Sequence, residues 1–126
     1  MPGYILIADD YEDNRELLRL ILEDAGYTVR EAADGGECVR LAQTEPPLAA
    51  LIDISMPVLD GWKVIEELRA DERTRGIPCV AVTAFTAVAD RQRILAAGFA
   101  DFLGKPYRAK DLLAIIERVT HEKQSG

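Results

Sequence analysis

Histidine is almost missing from this chain. His121 is the single one among 126 residues, and it stands in a polar stretch near the end. One imidazole without a neighbour excludes a histidine-built zinc centre or a histidine-based catalytic site. Cysteine is nearly as scarce. Cys38 and Cys79 lie far apart and fit no metal-binding spacing, so both read as small buried residues in a reducing compartment. Positive charge is in short supply, with 15 Lys and Arg against 22 Asp and Glu and a net charge of -7. That balance excludes a domain that grips DNA or RNA by itself, because phosphate neutralisation needs clustered cations. Long apolar runs are absent too. Tyr4 to Ala8 and Leu48 to Ile52 are far too short to cross a bilayer, and no charged stretch followed by an apolar core marks a signal peptide. The expectation is a soluble cytoplasmic protein with no membrane contact.

What is present is a regular alternation. Short apolar strands are expected at Tyr4–Ala8, Thr28–Ala32, Ala49–Asp53, Cys79–Thr83 and, more weakly, Asp101–Leu103. Several are continuous apolar runs, the pattern of strands covered on both faces of a parallel sheet. Between them lie helical stripes. Gly61, Val64, Ile65 and Leu68 fall at i, i+3, i+4 and i+7, as do Leu112, Ile115, Ile116 and Val119. Leu17 or Leu18, Ile21 and Ala25 form a similar stripe in the first helix. Gly26 and Gly98 stop the first and fourth helices. Pro46–Pro47 and Arg75–Gly76–Ile77–Pro78 lead into the third and fourth strands. The predicted fold is α/β: a three-layer, (βα)5, flavodoxin-like doubly wound sheet of five parallel strands with right-handed crossovers. The length suits one domain over 1–126, with a core of about 4–120 and a flexible tail over 121–126. No linker or low-complexity tract interrupts it.

In such sheets ligands sit beyond the carboxyl ends of the strands. Asp9 and Asp10 follow the first strand, Asp53 ends the third, Thr83 ends the fourth and Lys105 follows the fifth. Alone, an Asp–Asp pair is often a turn or a helix cap, Thr83 a strand end and Lys105 a solvated charge. Together they are harder to dismiss. Three converging carboxylates repel one another unless a cation sits among them. Oxygen ligands select a hard ion, so Mg²⁺ is the expected cofactor and Mn²⁺ the alternative. Asp53 then serves as a nucleophile that forms an acyl phosphate, with Thr83 donating to phosphoryl oxygens and Lys105 supplying a mobile cation.

The segment Asp53-Ile54-Ser55-Met56-Pro57-Val58-Leu59-Asp60-Gly61 resembles the phosphoacceptor loop of response-regulator receivers. So do Leu6-Ile7-Ala8-Asp9-Asp10, Val80-Ala81-Val82-Thr83-Ala84 and Gly98-Phe99-Ala100-Asp101-Phe102-Leu103-Gly104-Lys105-Pro106. The likeness runs from about Tyr4 to Val119 and keeps the motif order. It implies that Asp53 is phosphorylated and that Asp10 binds Mg²⁺ directly. Asp9 would bind mainly through water, and the Ser55 carbonyl would be the third protein ligand. It also implies that Thr83 and Lys105 contact the phosphoryl group, that Phe102 is an aromatic switch, and that Pro106 follows a cis peptide bond. Ser55 and Phe85 fall at positions that tune the phosphoryl lifetime, and the bulk of Phe85 implies slow self-hydrolysis.

The implied partners are a sensor histidine kinase or a histidine phosphotransfer protein, and an unidentified output protein. The kinase would dock on the first helix through Asn14, Arg15, Leu18 and Leu22. Output would come from the fourth helix, fifth strand and fifth helix. The chain would be a phosphoacceptor that promotes its own phosphotransfer and dephosphorylation, not an enzyme acting on other substrates. The start at Met1 and the short tail favour a stand-alone regulator over a receiver cut from a larger protein.

Rival readings are weaker. An aspartyl phosphatase would place an aspartate where Ser55 stands. A mononucleotide binder would need a Gly-rich phosphate loop where Asp9-Asp10-Tyr11-Glu12-Asp13 stands. A phosphate-independent interaction module would have lost one of the five positions, and all five are intact.

Overall fold

The computed structural model describes residues 3–56, 59–84 and 86–125. Pro57, Val58 and Phe85, the last assigned a tuning role above, lie outside them. Strands β1 (Tyr4–Ala8), β2 (Thr28–Ala32), β3 (Ala49–Asp53), β4 (Cys79–Thr83) and β5 (Asp101–Gly104) alternate with helices α1 (Glu12–Asp24), α2 (Gly35–Thr44), α3 (Gly61–Ala70), α4 (Val88–Ala96) and α5 (Ala109–Ser125). All pairings are parallel, in the order β2-β1-β3-β4-β5. The chain passes from β1 to β2 on one side and then crosses to β3 on the other, so the topological switch lies between β1 and β3.

The pleat divides the core in two. Ile5 and Ile7 of β1, Leu51 of β3 and Val80 and Val82 of β4 face Leu18, Leu22, Leu112 and Ile116 on α1 and α5. Leu6, Ala8, Ile52 and Ala81 point the other way, onto Cys38, Val64, Ile65 and Leu68 of α2 and α3. The three inner strands are buried throughout, which is why they read as unbroken apolar runs. Edge strand β2 carries Arg30 and Glu31 on opposite faces. Arg30 lies over the Tyr4 ring, 4.9 Å from its centre, and Glu31 pairs with Arg15 and Arg19 of α1. The aliphatic stem of a charged residue suits a half-covered edge.

Helix ends follow their chemistry. Asp34 and Asp60 cap α2 and α3 by accepting the amides of Glu37 and Lys63 at 2.8 and 3.0 Å. Gly26 and Gly98 take φ of +99° and +113° just past α1 and α4. One detail departs from the sequence reading. The buried residues of α1 are Leu18 and Leu22, whereas Leu17 is 51 % exposed and Ala25 is exposed. Helix α5 is described as far as Ser125.

Candidate functional site

The register brings the strand ends to one edge. Ala8 pairs with Ile52, Asp53 with Val82 and Thr83 with Gly104, so Asp9, Asp53, Thr83 and Lys105 emerge at one level. Carboxylate oxygens of Asp9, Asp10 and Asp53 lie within 4.8 Å of one another. Asp9 and Asp53 are buried, while Asp10 is half-buried.

Each carboxylate is aimed by local backbone. The Asp9 amide donates to Ala32 O of the neighbouring strand at 3.2 Å, and Asp9 Oδ1 accepts the Tyr11 amide at 2.9 Å. Asp53 Oδ1 accepts the Ser55 amide at 2.9 Å, which makes a tight turn directly after β3. The loop then folds back: the Gly61 amide donates to Ile54 O at 3.0 Å. A Cβ at Gly61 would come within 2.7 Å of Ile54 Cα, so only glycine lets α3 begin this close to the loop. Ser55 is left exposed at the mouth.

From the far side, the Lys105 amide donates to Thr83 O at 2.8 Å, and its Nζ lies 3.5 Å from Asp53 Oδ2. The Lys105–Pro106 bond is cis, as the resemblance implied. Thr83 is buried and joins Ser55, Met56, Trp62, Asp90 and Arg93 around a cavity of about 510 Å³. The guanidinium of Arg93 covers the Trp62 ring at 4.1 Å. Phe102 is half-buried, with the Arg91 guanidinium 6.0 Å from its ring centre.

The electrostatics call for a cation. Burial raises the carboxyl of Asp9 above its ordinary value, and the negative charge of Asp53 adds to the rise. The Tyr11 amide and Lys105 pull it back down only in part. Burial, with Asp9 close by, also pushes the Tyr107 phenol up to about 12. A compact set of hard oxygen donors, one of them destabilised as an anion, fits Mg²⁺ better than a softer metal.

A family model described as the response regulator receiver domain matches residues 5–117. The chain belongs to the response regulator receiver family. This receiver is 36% identical over 106 residues to the polar-differentiation response regulator DivK of Brucella anthropi, covering 84% of this chain and 86% of that protein. It is 37% identical over 130 residues to the response regulator MprA of Mycolicibacterium vanbaalenii, but spans 55% of that longer protein. Among solved structures, the receiver domain of the sensor histidine kinase PA1611 from Pseudomonas aeruginosa superposes with a TM-score of 0.88 at 36% identity. The match covers 96% of this chain and 99% of that one. That structure holds a magnesium ion coordinated in its active-site cleft.

The receiver brings together all five positions picked from the sequence. The expected docking residues fare differently. Leu18 and Leu22 are 2 % and 0 % exposed and belong to the core, because they are the residues α1 packs onto the sheet. Arg15 turns inward as well: its side chain is 15 % exposed and bonds to Asp9 O. The large apolar side chains that α1 exposes are Leu17 and Leu20. Sequence reasoning missed the inward role of Arg15 and the Arg93–Trp62 stack, since neither pair has a local spacing signature. Among the described residues, no helix is long and apolar enough to cross a membrane.

Proposed function

We propose that this receiver accepts a phosphoryl group on Asp53 from a phosphohistidine on a sensor kinase or phosphotransfer protein, with Asp10, Asp53 and the Ser55 carbonyl as direct Mg²⁺ ligands and Asp9 acting mainly through water. The observation that carries this is the convergence of three carboxylates within 4.8 Å, with Lys105 Nζ 3.5 Å from Asp53. When bound, the divalent ion supplies charge neutralisation to the carboxylates and the incoming phosphoryl oxygens; Mn²⁺ can take the same role.

Asp53 Oδ attacks phosphorus, the N–P bond breaks, and the imidazole leaves with its electron pair and takes up a proton. Lys105 moves from the Asp53 oxygen toward the phosphoryl group, and the Thr83 hydroxyl donates to it. Movement of Thr83 opens room for Phe102 to turn inward. That shifts the population of a partner-binding face built from α4, β5 and α5. Water later attacks the acyl phosphate in the same site, so the receiver limits its own signal. The kinase docks on the exposed part of α1, around Leu17 and Leu20. Two buried thiols without a disulfide support a reducing, cytoplasmic setting.

The test is chemical mapping. After phosphorylation, borohydride reduction converts an aspartyl phosphate to homoserine, and peptide mass spectrometry locates it. Homoserine at position 53 is expected; homoserine at position 9 or 10, or none, refutes the assignment.

A further inference from the structure

We propose that Arg15 is a positioning residue for the acidic site: its guanidinium fixes the Asp9–Asp10 peptide, and so sets the affinity of the site for a divalent cation. This rests on the reading of Asp9, Asp10 and Asp53 as cation ligands.

Arg15 stands one turn into α1, directly after the acidic pair, and its side chain is largely buried. Its Nη1 donates to Asp9 O at 2.8 Å, and its Nε donates to Glu31 Oε1 at 3.0 Å. Glu31 is itself held from its other oxygen by Arg19 Nε at 3.0 Å. The Arg15 amide meanwhile donates to Tyr11 O at 3.1 Å, closing the first turn of the helix. The backbone between β1 and α1 is therefore clamped at two carbonyls by one residue. The edge strand supplies the anchor through Glu31.

The carbonyl that Arg15 grips belongs to the peptide linking the two metal-binding aspartates. Its rotation would turn the Asp10 side chain relative to Asp9 and Asp53. Partners that orient ligands from behind typically change metal affinity by about 10–100-fold when removed. Lysine cannot stand in: its ammonium is a point charge without the planar fork that reaches a carbonyl and a carboxylate in two fixed directions.

The experiment is calorimetric titration of metal-free protein with MgCl₂, for wild type, Arg15→Lys, Arg15→Ala and Asp10→Asn, with thermal melting of each in EDTA. The expected result is a Kd about 10-fold weaker in both Arg15 variants, while Arg15→Lys melts within a few degrees of wild type without metal. Wild-type affinity in Arg15→Lys would overturn the proposal, and so would a weakened affinity matched by collapse of its metal-free melting temperature. If Arg15→Ala does not fold, Arg15→Lys alone decides, because it keeps the stem and the charge. Equal Mg²⁺ affinity in wild type and Asp10→Asn would instead sink the underlying cation reading, and this inference with it.

Discussion

Asp9 is buried beside Asp53, and the proton bookkeeping of that pair predicts how the metal-free protein responds to pH. Its folded value lies above the 3.8 of an unperturbed aspartate. A raised carboxyl favours folding fully below about pH 3.8, and that contribution is lost as pH rises through the folded value. At neutral pH without metal, ionised Asp9 therefore opposes folding. Asp9→Asn is expected to melt higher than wild type in EDTA at pH 7, with the gain shrinking as pH falls toward 4. Excess Mg²⁺ should reverse the order. Melting curves of both proteins under these conditions check it, and a variant no more stable than wild type at pH 7 in EDTA contradicts the argument. Lys105 makes a second prediction at this scale. Lys105→Ala should slow phosphorylation by acetyl phosphate by about 10²-fold, the loss typical of one fixed charge-stabilising donor, while Mg²⁺ still binds. The placement of Asp53, Thr83 and Lys105 at one edge was legible because strand ends announce themselves in sequence. The inward turn of Arg15 was not, since its partner Glu31 lies 16 residues away on β2.

Helix α1 is where the sequence reading slipped, and the slip can be measured. Leu17 and Leu18 are neighbours of the same type, so apolar periodicity could not choose between them; the sheet chose Leu18 and Leu22. Leu18→Ala should cost about 2–5 kcal/mol, and Leu17→Ala should stay within about 0.5 kcal/mol while weakening phosphotransfer from the kinase. Denaturant titration separates the two. Equal costs would mean that α1 is rotated from its described position. The other helices were legible: the α3 stripe Gly61, Val64, Ile65 and Leu68 is buried at every position. Two glycines at helix ends differ in kind. Gly26 has φ +99° and open space around its Cα, so Gly26→Ala should cost about 1 kcal/mol from backbone conformation alone. Gly61→Ala drives a methyl against Ile54 Cα and the Asp53 carbonyl and should also disturb the turn that presents Ser55, visible as weaker Mg²⁺ binding.

At the scale of the whole molecule, strand order and site are one fact. Placing β1 between β2 and β3 sets the acidic pair beside Asp53, and β4 and β5 then deliver Thr83 and Lys105 from the other side. The alternation of apolar strands and amphipathic helices made this topology readable, because parallel strands buried on both faces leave a continuous apolar trace. The packing of individual side chains across layers, such as Arg93 on Trp62, leaves no such trace. If this edge forms an aspartyl phosphate, intact-mass spectrometry after incubation with acetyl phosphate detects it. A gain of one phosphoryl group in wild type with Mg²⁺, absent in Asp53→Ala and in metal-free samples, is the predicted result. A gain that persists in Asp53→Ala, or no gain in Mg²⁺-loaded wild type, would contradict it.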